Sequence, residues 1–313
     1  MDWNELQCAL EAVLFAAGEP VRADRLCKAL EVGEETLHEA ARQLADAYDY
    51  DRRGIRLVRL EQSYQLCSRA DYAEPVRRIL VTWQADLSTI DQAASGGYDA
   101  IMVHEPLFYI HAREQENLGR WIPGVREQAL RQRMERLAQA DLTVIRNHDT
   151  WDRMPEVGIP FAWARFLGLS GRPDATGHQG YEHAYDVEPV AAGTLADRIA
   201  QRTRLLGEPF VQLLGDPDRR ITRLGLGTGC ACSVDVYRSM GCQAGIVVDD
   251  GQLYWQDFCY AKDEGITLIR VLHATSEEPG MVTMADWLNR QGWGIEADYA
   301  PFNTQMRWVG AGH

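Results

Sequence analysis

The 313-residue sequence predicts an α/β protein in which two related α/β halves follow a small winged-helix domain. Three observations predict this architecture. Three amphipathic helical segments and a hairpin come first, short β-branched runs then alternate with helical segments, and a strand–helix–strand pattern recurs later in the chain. We place the boundary after residue 78, which gives a winged-helix-like interaction domain over 1–78 and an α/β domain over 79–313.

The composition limits the classes of partner. A net charge of −14 disfavours general nucleic-acid binding, because that function needs a basic face. It also disfavours binding to an anionic membrane surface. No apolar run reaches the length of a membrane span, and the first residues lack a signal-peptide pattern. Seven cysteines at irregular spacings indicate reduced thiols. We therefore expect a cytoplasmic protein that does not bind membranes.

The first domain shows helical periodicity followed by period-two alternation. Leu6, Leu10, Val13 and Leu14 form one face of a helix that ends near Gly18, and ADRLCKAL follows Pro20 as a second helix. A third helix covers Glu34–Tyr48. Two apolar runs around Glu61–Ser63 then predict a hairpin. Three helices before a hairpin is the element order of a winged helix.

Three segments of this domain carry a family resemblance: LEAVLFAAGEPV, RGIRLVRLEQSYQLCSR and YAEPVRRIL. They resemble the first winged-helix domain of segregation and condensation protein B, a partner of bacterial chromosome-organising complexes. The resemblance covers about the first 80 residues, and that family's second winged helix is missing. It implies a protein partner for residues 1–78.

The charge of the third helix bears on DNA binding, because this helix would enter the major groove. Arg42 stands there against five acidic residues, and residues 1–80 hold 11 basic against 15 acidic side chains, a net charge of −4. Such a face repels phosphates. We expect a docking or dimerising role, with DNA binding as the disfavoured alternative.

From residue 79 onward, strands and helices alternate. We predict strands at Arg78–Trp83, Asp99–Val103 and Leu142–Arg146, and helices at Leu87–Ala94, Arg126–Ala140 and Phe161–Leu167, with Gly96-Gly97 as a C-cap. His104-Glu105-Pro106 follows the second strand. His148-Asp149-Thr-Trp-Asp152 follows the third.

The chain then repeats this pattern. A shift of 145 residues aligns RILVTW…DAIMVHE with RLGLGT…AGIVVDD, and a shift of 125 aligns His148…Asp152 with His273…Glu277. Two related halves that face one another would bring these strand ends into one cleft.

The remaining segments complete the second half. Residues 171–185 are predicted to be a loop in which His178 and His183 are solvated, with reach into the cleft as the alternative. Further elements are expected at Leu195–Leu206, Val211–Leu214, Ser233–Met240, Ile266–Leu272, Met281–Leu288 and Ile295–Phe302. The loop Gly225-Leu-Gly-Thr-Gly-Cys230 either cradles a phosphate or lets the backbone pass close to the cleft.

Seven polar side chains are expected at the four strand ends: His104, Glu105, His148, Asp149, Asp152, His273 and Glu277. Each alone is commonly a satisfied polar residue at the start of a loop. Together, imidazoles and carboxylates suit a pair of divalent ions about 3.5–4 Å apart, which lowers the pKa of a bridging water. This is hydrolytic chemistry.

Three motifs here resemble the GTP cyclohydrolase I type 2 homologue family of NIF-three-like dinuclear metal proteins. They are Val103-His104-Glu105-Pro106-Leu107-Phe108, His148-Asp149-Thr150-Trp151-Asp152 and Leu272-His273-Ala-Thr-Ser-Glu277. His104, Asp152, His273 and Glu277 match the family's metal-ligand positions. Glu105 replaces its second histidine, as in a His-Glu-Pro branch, and favours oxygen-loving ions.

The resemblance covers about residues 79–313 and implies a duplicated three-layer α/β fold, a ring-shaped homohexamer and two divalent ions, with Zn, Fe, Mn and Mg open. We expect His104, Glu105, Asp152, His273 and Glu277 to hold the ions, and His148 or Asp149 to act in catalysis. The predicted activity is hydrolysis of a small phosphorylated or nucleotide-like substrate. The alternative is a metal-binding scaffold that residues 1–78 recruit to a partner.

Overall fold

The computed structural model describes residues 3–17, 20–51, 53, 55–60, 62–68, 76–107, 127–169, 171–249, 255–302 and 308–309. The chain divides into two compact units, Met1–Val76 and Arg77–His313. No helix of the described ranges is long and apolar enough to cross a membrane. Residues 69–75, Phe108 of the first metal motif and residues 250–254 lie outside these ranges.

The first unit contains three helices and a small antiparallel sheet. Its elements are α1 (Trp3–Ala17), β1 (Val21–Arg22), α2 (Ala23–Leu30), α3 (Glu34–Tyr50), β2 (Ile55–Leu60) and β3 (Ser63–Ser68). The strands lie in the order β1-β3-β2. Leu6, Leu10 and Leu14 recur at every fourth position of α1, so one face of the helix is buried. The predicted helices and hairpin are present, and the two-residue strand β1 was not predicted.

A four-stranded sheet begins the second unit. Its elements are β4 (Arg78–Thr82), α4 (Leu87–Gly96), β5 (Ala100–Val103), α5 (Glu127–Gln139), β6 (Thr143–Arg146), α6 (Asp149–Asp152), α7 (Ile159–Phe166) and, from the end of the chain, β13 (Glu296–Tyr299). The order is β13-β4-β5-β6, with parallel pairing throughout. Asp86 caps α4 by accepting from Thr89 N at 2.8 Å, and Gly97 ends it with φ +67°. The predicted C-cap is confirmed.

A six-stranded sheet forms the rest of this unit. Its elements are β7 (Ala175–Gly177), β8 (Glu182–Ala191), α8 (Ala192–Thr203), β9 (Gln212–Leu214), β10 (Arg220–Leu226), α9 (Val234–Ser239), β11 (Ala244–Val248), α10 (Trp255–Asp263), β12 (Thr267–Val271) and α11 (His273–Arg290). The order is β7-β8-β10-β11-β12-β9. Strands β10, β11 and β12 are parallel, as are β4, β5 and β6. Each sheet therefore contains three consecutive parallel strands, and the mixed α/β fold class is confirmed.

The start of α11 differs from the prediction. The sequence places His273 and Glu277 on a turn and begins the helix after Pro279-Gly280, whereas the helix begins at His273 and contains Pro279. Proline is disfavoured there because it lacks an N–H and its ring crowds the preceding turn. Tertiary packing outweighs this preference, since every residue from His273 to Met281 is buried. The helical register places His273 and Glu277 one turn apart on one face.

The predicted loop over 171–185 is also wrong. Strand β7, a short 3₁₀ turn at His178–Gly180 and the start of β8 occupy it, and β7 pairs with β8. His178 is exposed, whereas His183 is 1% exposed and its ring meets that of Phe161 edge-on at 4.6 Å. Burial lowers the pKa of His183 to about 4. His183 is therefore part of the core.

Candidate metal centre

The candidate site residues follow the carboxyl ends of parallel strands. His104 and Glu105 come directly after β5, His148 follows β6 by two residues, and His273 follows β12 by two residues. Asp152 ends the short helix α6, and Glu277 lies in the second turn of α11. Each of these residues thus follows the carboxyl end of a parallel strand or the helix that comes after it, where α/β folds build their sites.

His104 lies at the centre of the group and is fully buried. Its Nδ1 is 3.2 Å from the carbonyl oxygen of Asn147, so this nitrogen donates and Nε2 is left as an acceptor. Nε2 lies 3.4 Å from Asp152 Oδ1 and 3.4 Å from Glu277 Oε2. Within the described residues, neither His104 Nε2 nor Asp152 Oδ1 has a hydrogen-bond partner.

These two buried, unpartnered atoms decide whether the residues fit a metal ion. A buried acceptor without a donor costs about 1–3 kcal/mol. A divalent cation between a neutral imidazole nitrogen and carboxylate oxygens would satisfy both atoms. The residues present fit such an ion.

Two sets of side chains bring three ligand atoms within 4.8 Å of one another: His104, His148 and Asp152, and His104, Glu105 and Glu277. His104 belongs to both sets. His273 lies beside them, with Nε2 at 3.0 Å from Glu277 Oε2 and 3.8 Å from Glu105 Oε1. All five residues predicted to hold metal are thus brought together with His148, which the sequence analysis assigned to catalysis.

His148 connects this group to solvent. Its ring stacks on that of His104 at a centroid distance of 4.2 Å, and its Nε2 lies 3.2 Å from Glu105 Oε1. On the other side, Nδ1 lies 2.6 Å from Asp149 Oδ1, and the Asp149 side chain is 78% exposed. The predicted catalytic pair is therefore in contact and spans from the buried group to the surface.

The pKa values reflect how the carboxylates crowd together. Burial and the charge of Glu277 raise the pKa of Asp152 to about 8. Burial opposes ionisation of Glu277 as well, but interaction with His273 and the hydrogen bond from Trp83 outweigh it and hold the pKa of Glu277 at about 2. Burial lowers the pKa of His104, which keeps this imidazole neutral. His104 and Glu277 are thus in the forms that bind metal ions, neutral imidazole and ionised carboxylate, whereas Asp152 would release its proton when a cation binds.

The glycine loop between β10 and α9 lies against this group. Gly229 has φ +52°, and a Cβ there would be 2.5 Å from Glu277 Oε1 and 3.0 Å from His273 Nε2. Gly225 instead makes room for the ring of Tyr237. The sequence left two roles open for this loop, a phosphate cradle or a backbone that passes close to the cleft. At Gly229 the backbone passes close to the candidate ligands.

Three residues that support the group were not singled out from the sequence. Trp83 Nε1 donates to Glu277 Oε2 at 2.8 Å, and Asp249 Oδ1 accepts from His273 N at 2.7 Å. Buried Glu208 accepts from Leu272 N at 3.1 Å, so two carboxylates meet the amino end of α11. The repeat held a signal for Asp249, because the alignment of DAIMVHE with AGIVVDD places it opposite His104.

Comparison with known proteins identifies the family. The profile of the Duf34/NIF3 (NGG1p interacting factor 3) family matches residues 34–305, which is most of the chain. The chain belongs to the Duf34/NIF3 family. The resemblance of residues 79–313 to NIF-three-like proteins is thereby confirmed.

Solved structures share the fold of this Duf34/NIF3 protein. Protein ybgI, described as of unknown function, is 23% identical with a TM-score of 0.59, over 73% of this chain and 85% of its own. A Bacillus cereus protein related to NIF3 is 12% identical with a TM-score of 0.58, over 82% of this chain and 92% of its own. At these identities the likeness establishes the fold alone.

A second similarity concerns segregation and condensation protein B. The protein of Ruminiclostridium cellulolyticum is 26% identical over 107 residues, 34% of this chain and 55% of its own length. That of Caldanaerobacter subterraneus subsp. tengcongensis is 39% identical over 71 residues, 23% of this chain and 42% of its own. The chain spans about half the length of these curated relatives. The similarity to segregation and condensation protein B is confirmed.

Proposed function

We propose that this Duf34/NIF3 protein is a divalent-metal-dependent hydrolase that acts on a small phosphorylated or nucleotide-like substrate. The observation that carries the proposal is the approach of His104 Nε2 to Asp152 Oδ1 and Glu277 Oε2, at 3.4 Å each. All three atoms are buried, and the first two have no hydrogen-bond partner among the residues that the structure describes. His104, Glu105, Asp152, His273 and Glu277 would hold two ions.

A bound divalent ion would supply an acidified water and would stabilise developing negative charge on a phosphoryl oxygen. The protein's own groups orient the ligands. The Asn147 carbonyl fixes the His104 tautomer, and Trp83 fixes one oxygen of Glu277. Such supporting hydrogen bonds tune metal affinity.

His148 and Asp149 are proposed to move a proton. Their 2.6 Å contact continues a path from Glu105 through the His148 ring to an exposed carboxylate. A histidine held between two carboxylates can accept a proton at one nitrogen and release one at the other. This geometry supports a general acid or base role.

Elemental analysis of the purified protein, followed by assays against phosphoesters and nucleotides, tests the proposal. We expect stoichiometric metal in the unmodified protein, and loss of both metal and turnover in His104→Ala and His273→Ala. His178→Ala is the matched control, because His178 is exposed and outside both ligand sets. Retention of metal by His104→Ala would refute the centre.

A metal-binding scaffold is the second candidate, and the similarity of the amino-terminal region to segregation and condensation protein B favours it. The first unit would then dock on a protein partner through a surface such as the acidic face of α3. In this case the protein binds metal without turnover of any substrate. It also binds a condensin-type partner, and the binding weakens in Glu35→Lys, whose side chain is exposed on α3.

The family resemblance further suggests a homohexameric ring. Sedimentation analysis of the full chain tests this assembly directly. A monomer at working concentration would contradict it.

A further inference from the structure

A cavity of about 370 Å³ lies beside the edge strand β9, apart from the metal ligands. Leu214, Val248 and Leu268 give it apolar walls, and Trp255 and Phe258 of α10 give it aromatic ones. Its volume is in the range of small-ligand sites. It lies where β11 and β12 approach their carboxyl ends, the edge at which open α/β sheets bind ligands.

The polar part of the cavity is the guanidinium group of Arg270. Arg270 Nη1 donates to Gln212 Oε1 at 3.0 Å, and its Nη2 donates to the carbonyl oxygen of Asp249 at 3.3 Å. Both acceptors are uncharged, and no carboxylate in the described ranges forms an ion pair with this guanidinium. Two hydrogen bonds to uncharged acceptors therefore hold the planar, positively charged guanidinium at the wall.

The aromatic part is exposed. Trp255 is 79% exposed although it begins a helix beside the cavity, and its ring meets Phe258 edge-on at 5.6 Å. An exposed indole next to a fixed guanidinium offers a stacking surface and a hydrogen-bonding fork. These two features together select a flat ligand that has acceptor atoms on one edge.

We propose that this cavity binds a planar heteroaromatic group of the nucleobase type. The ring lies against Trp255, and a pair of acceptor atoms on its edge faces Arg270. A guanidinium fork matches adjacent acceptors such as the carbonyl oxygen and ring nitrogen of a purine.

Asp249 connects the cavity to the candidate metal ligands. Asp249 lines the cavity, and its Oδ1 accepts from the backbone N–H of His273 at 2.7 Å. A ligand whose base occupies the cavity can direct its remaining part towards the imidazole and carboxylate group. This last step rests on the proposed function and makes its substrate a nucleotide-like molecule.

The test measures binding of adenosine and guanosine, which carry no phosphate, to the full-length protein after chelator treatment. Calorimetry should give saturable binding of at least one nucleoside. Trp255→Ala and Arg270→Ala should each weaken it about tenfold or more, the effect expected when a stacking or hydrogen-bonding partner of a base is removed. Arg270→Lys keeps the charge, removes the fork and should also weaken it.

Trp293→Ala is the matched control, because Trp293 is 60% exposed and does not line the cavity. Absence of saturable binding, or equal affinity in the Trp255 and Arg270 variants, would overturn the proposal. A change in sedimentation of Trp255→Ala with unchanged nucleoside affinity would also overturn it, since the surface then contacts a second copy. Because the protein is metal-free, these outcomes are separate from failure of the metal centre.

Discussion

The indole N–H of Trp83 donates a 2.8 Å hydrogen bond to Glu277 Oε2, and it joins residues 194 positions apart. Trp83 directly follows β4 of the four-stranded sheet, whereas Glu277 belongs to α11, which follows β12 of the six-stranded sheet. The Trp83 ring also meets the His273 ring edge-on at 5.2 Å. One tryptophan thus orients two candidate ligands from the other half of the unit.

Replacement of Trp83 by phenylalanine should weaken metal binding. Phenylalanine keeps a ring beside His273 but removes the donor that fixes Glu277. Loss of such a supporting hydrogen bond costs about 10–100-fold in metal affinity. Competition with a chromophoric chelator measures the change. Trp293→Phe, at an exposed position, should bind metal like the unmodified protein, and equal affinities for all three proteins would contradict the role of Trp83.

Replacement of Gly229 by alanine should damage the same group by crowding. A Cβ there would approach Glu277 Oε1 to 2.5 Å, and the φ of +52° adds a backbone cost of about 1–2 kcal/mol. We expect lower metal content and lower stability. Gly171→Ala separates the two effects, because Gly171 has φ +86° and no atom of the described residues lies within 4 Å of its added Cβ. That variant should lose stability alone; equal metal content in both variants would contradict the crowding.

The sequence predicted the strand ends well because parallel strands are short, apolar and β-branched, and polar residues follow them directly. His104, Glu105, His148 and Asp152 could be placed in this way. The start of α11 could not be predicted in this way, because local propensity places the helix breakers Pro279 and Gly280 in a turn. In the structure both residues are helical, since the whole first half of the helix is buried.

Contacts between residues far apart in the sequence could not be predicted from local patterns either. Trp83 and Gly229 contact Glu277 from segments 194 and 48 positions away, and nothing near either residue specifies which carboxylate it meets. His183 was placed on the surface because glycine and polar residues surround it. The pairing of β7 with β8 and the approach of Phe161 bury it instead.

Packing of Tyr237 explains Gly225, a glycine near the end of β10. A Cβ on Gly225 would lie 2.5 Å from Tyr237 Cδ1, and the buried tyrosine is held by a 2.6 Å hydrogen bond from its hydroxyl to Ile246 O. Gly225→Ala should therefore destabilise the protein by about 1–3 kcal/mol through overpacking. Urea unfolding measures this change. In the background of Tyr237→Leu, Gly225→Ala should lower the free energy of unfolding by less than it does in the unmodified protein. If the effects of the two substitutions simply add, the contact between Gly225 and Tyr237 is contradicted.

Glu182 should lower the free energy of unfolding as the pH rises, whereas a salt-bridged carboxylate raises it. Its side chain is fully buried, and Oε1 accepts from Ser233 N at 2.5 Å. Burial raises the pKa of Glu182 from 4.5 to about 7, against the lowering effect of that hydrogen bond. Because the folded-state pKa is the higher one, the folded protein binds more protons between these values.

The free energy of unfolding should therefore fall as the pH rises from about 4.5 to 7, by at most about 3 kcal/mol from this group, and then level off. Glu182→Gln cannot ionise and keeps an oxygen for Ser233. The variant should match the unmodified protein below pH 4.5 and be the more stable of the two above pH 7. Urea unfolding across this range measures the difference between the two proteins, which cancels the titration of other groups. If the two proteins differ by the same free energy of unfolding at every pH in this range, burial does not raise the pKa of Glu182. The hydrogen bond from Ser233 N would then stabilise the buried, ionised carboxylate.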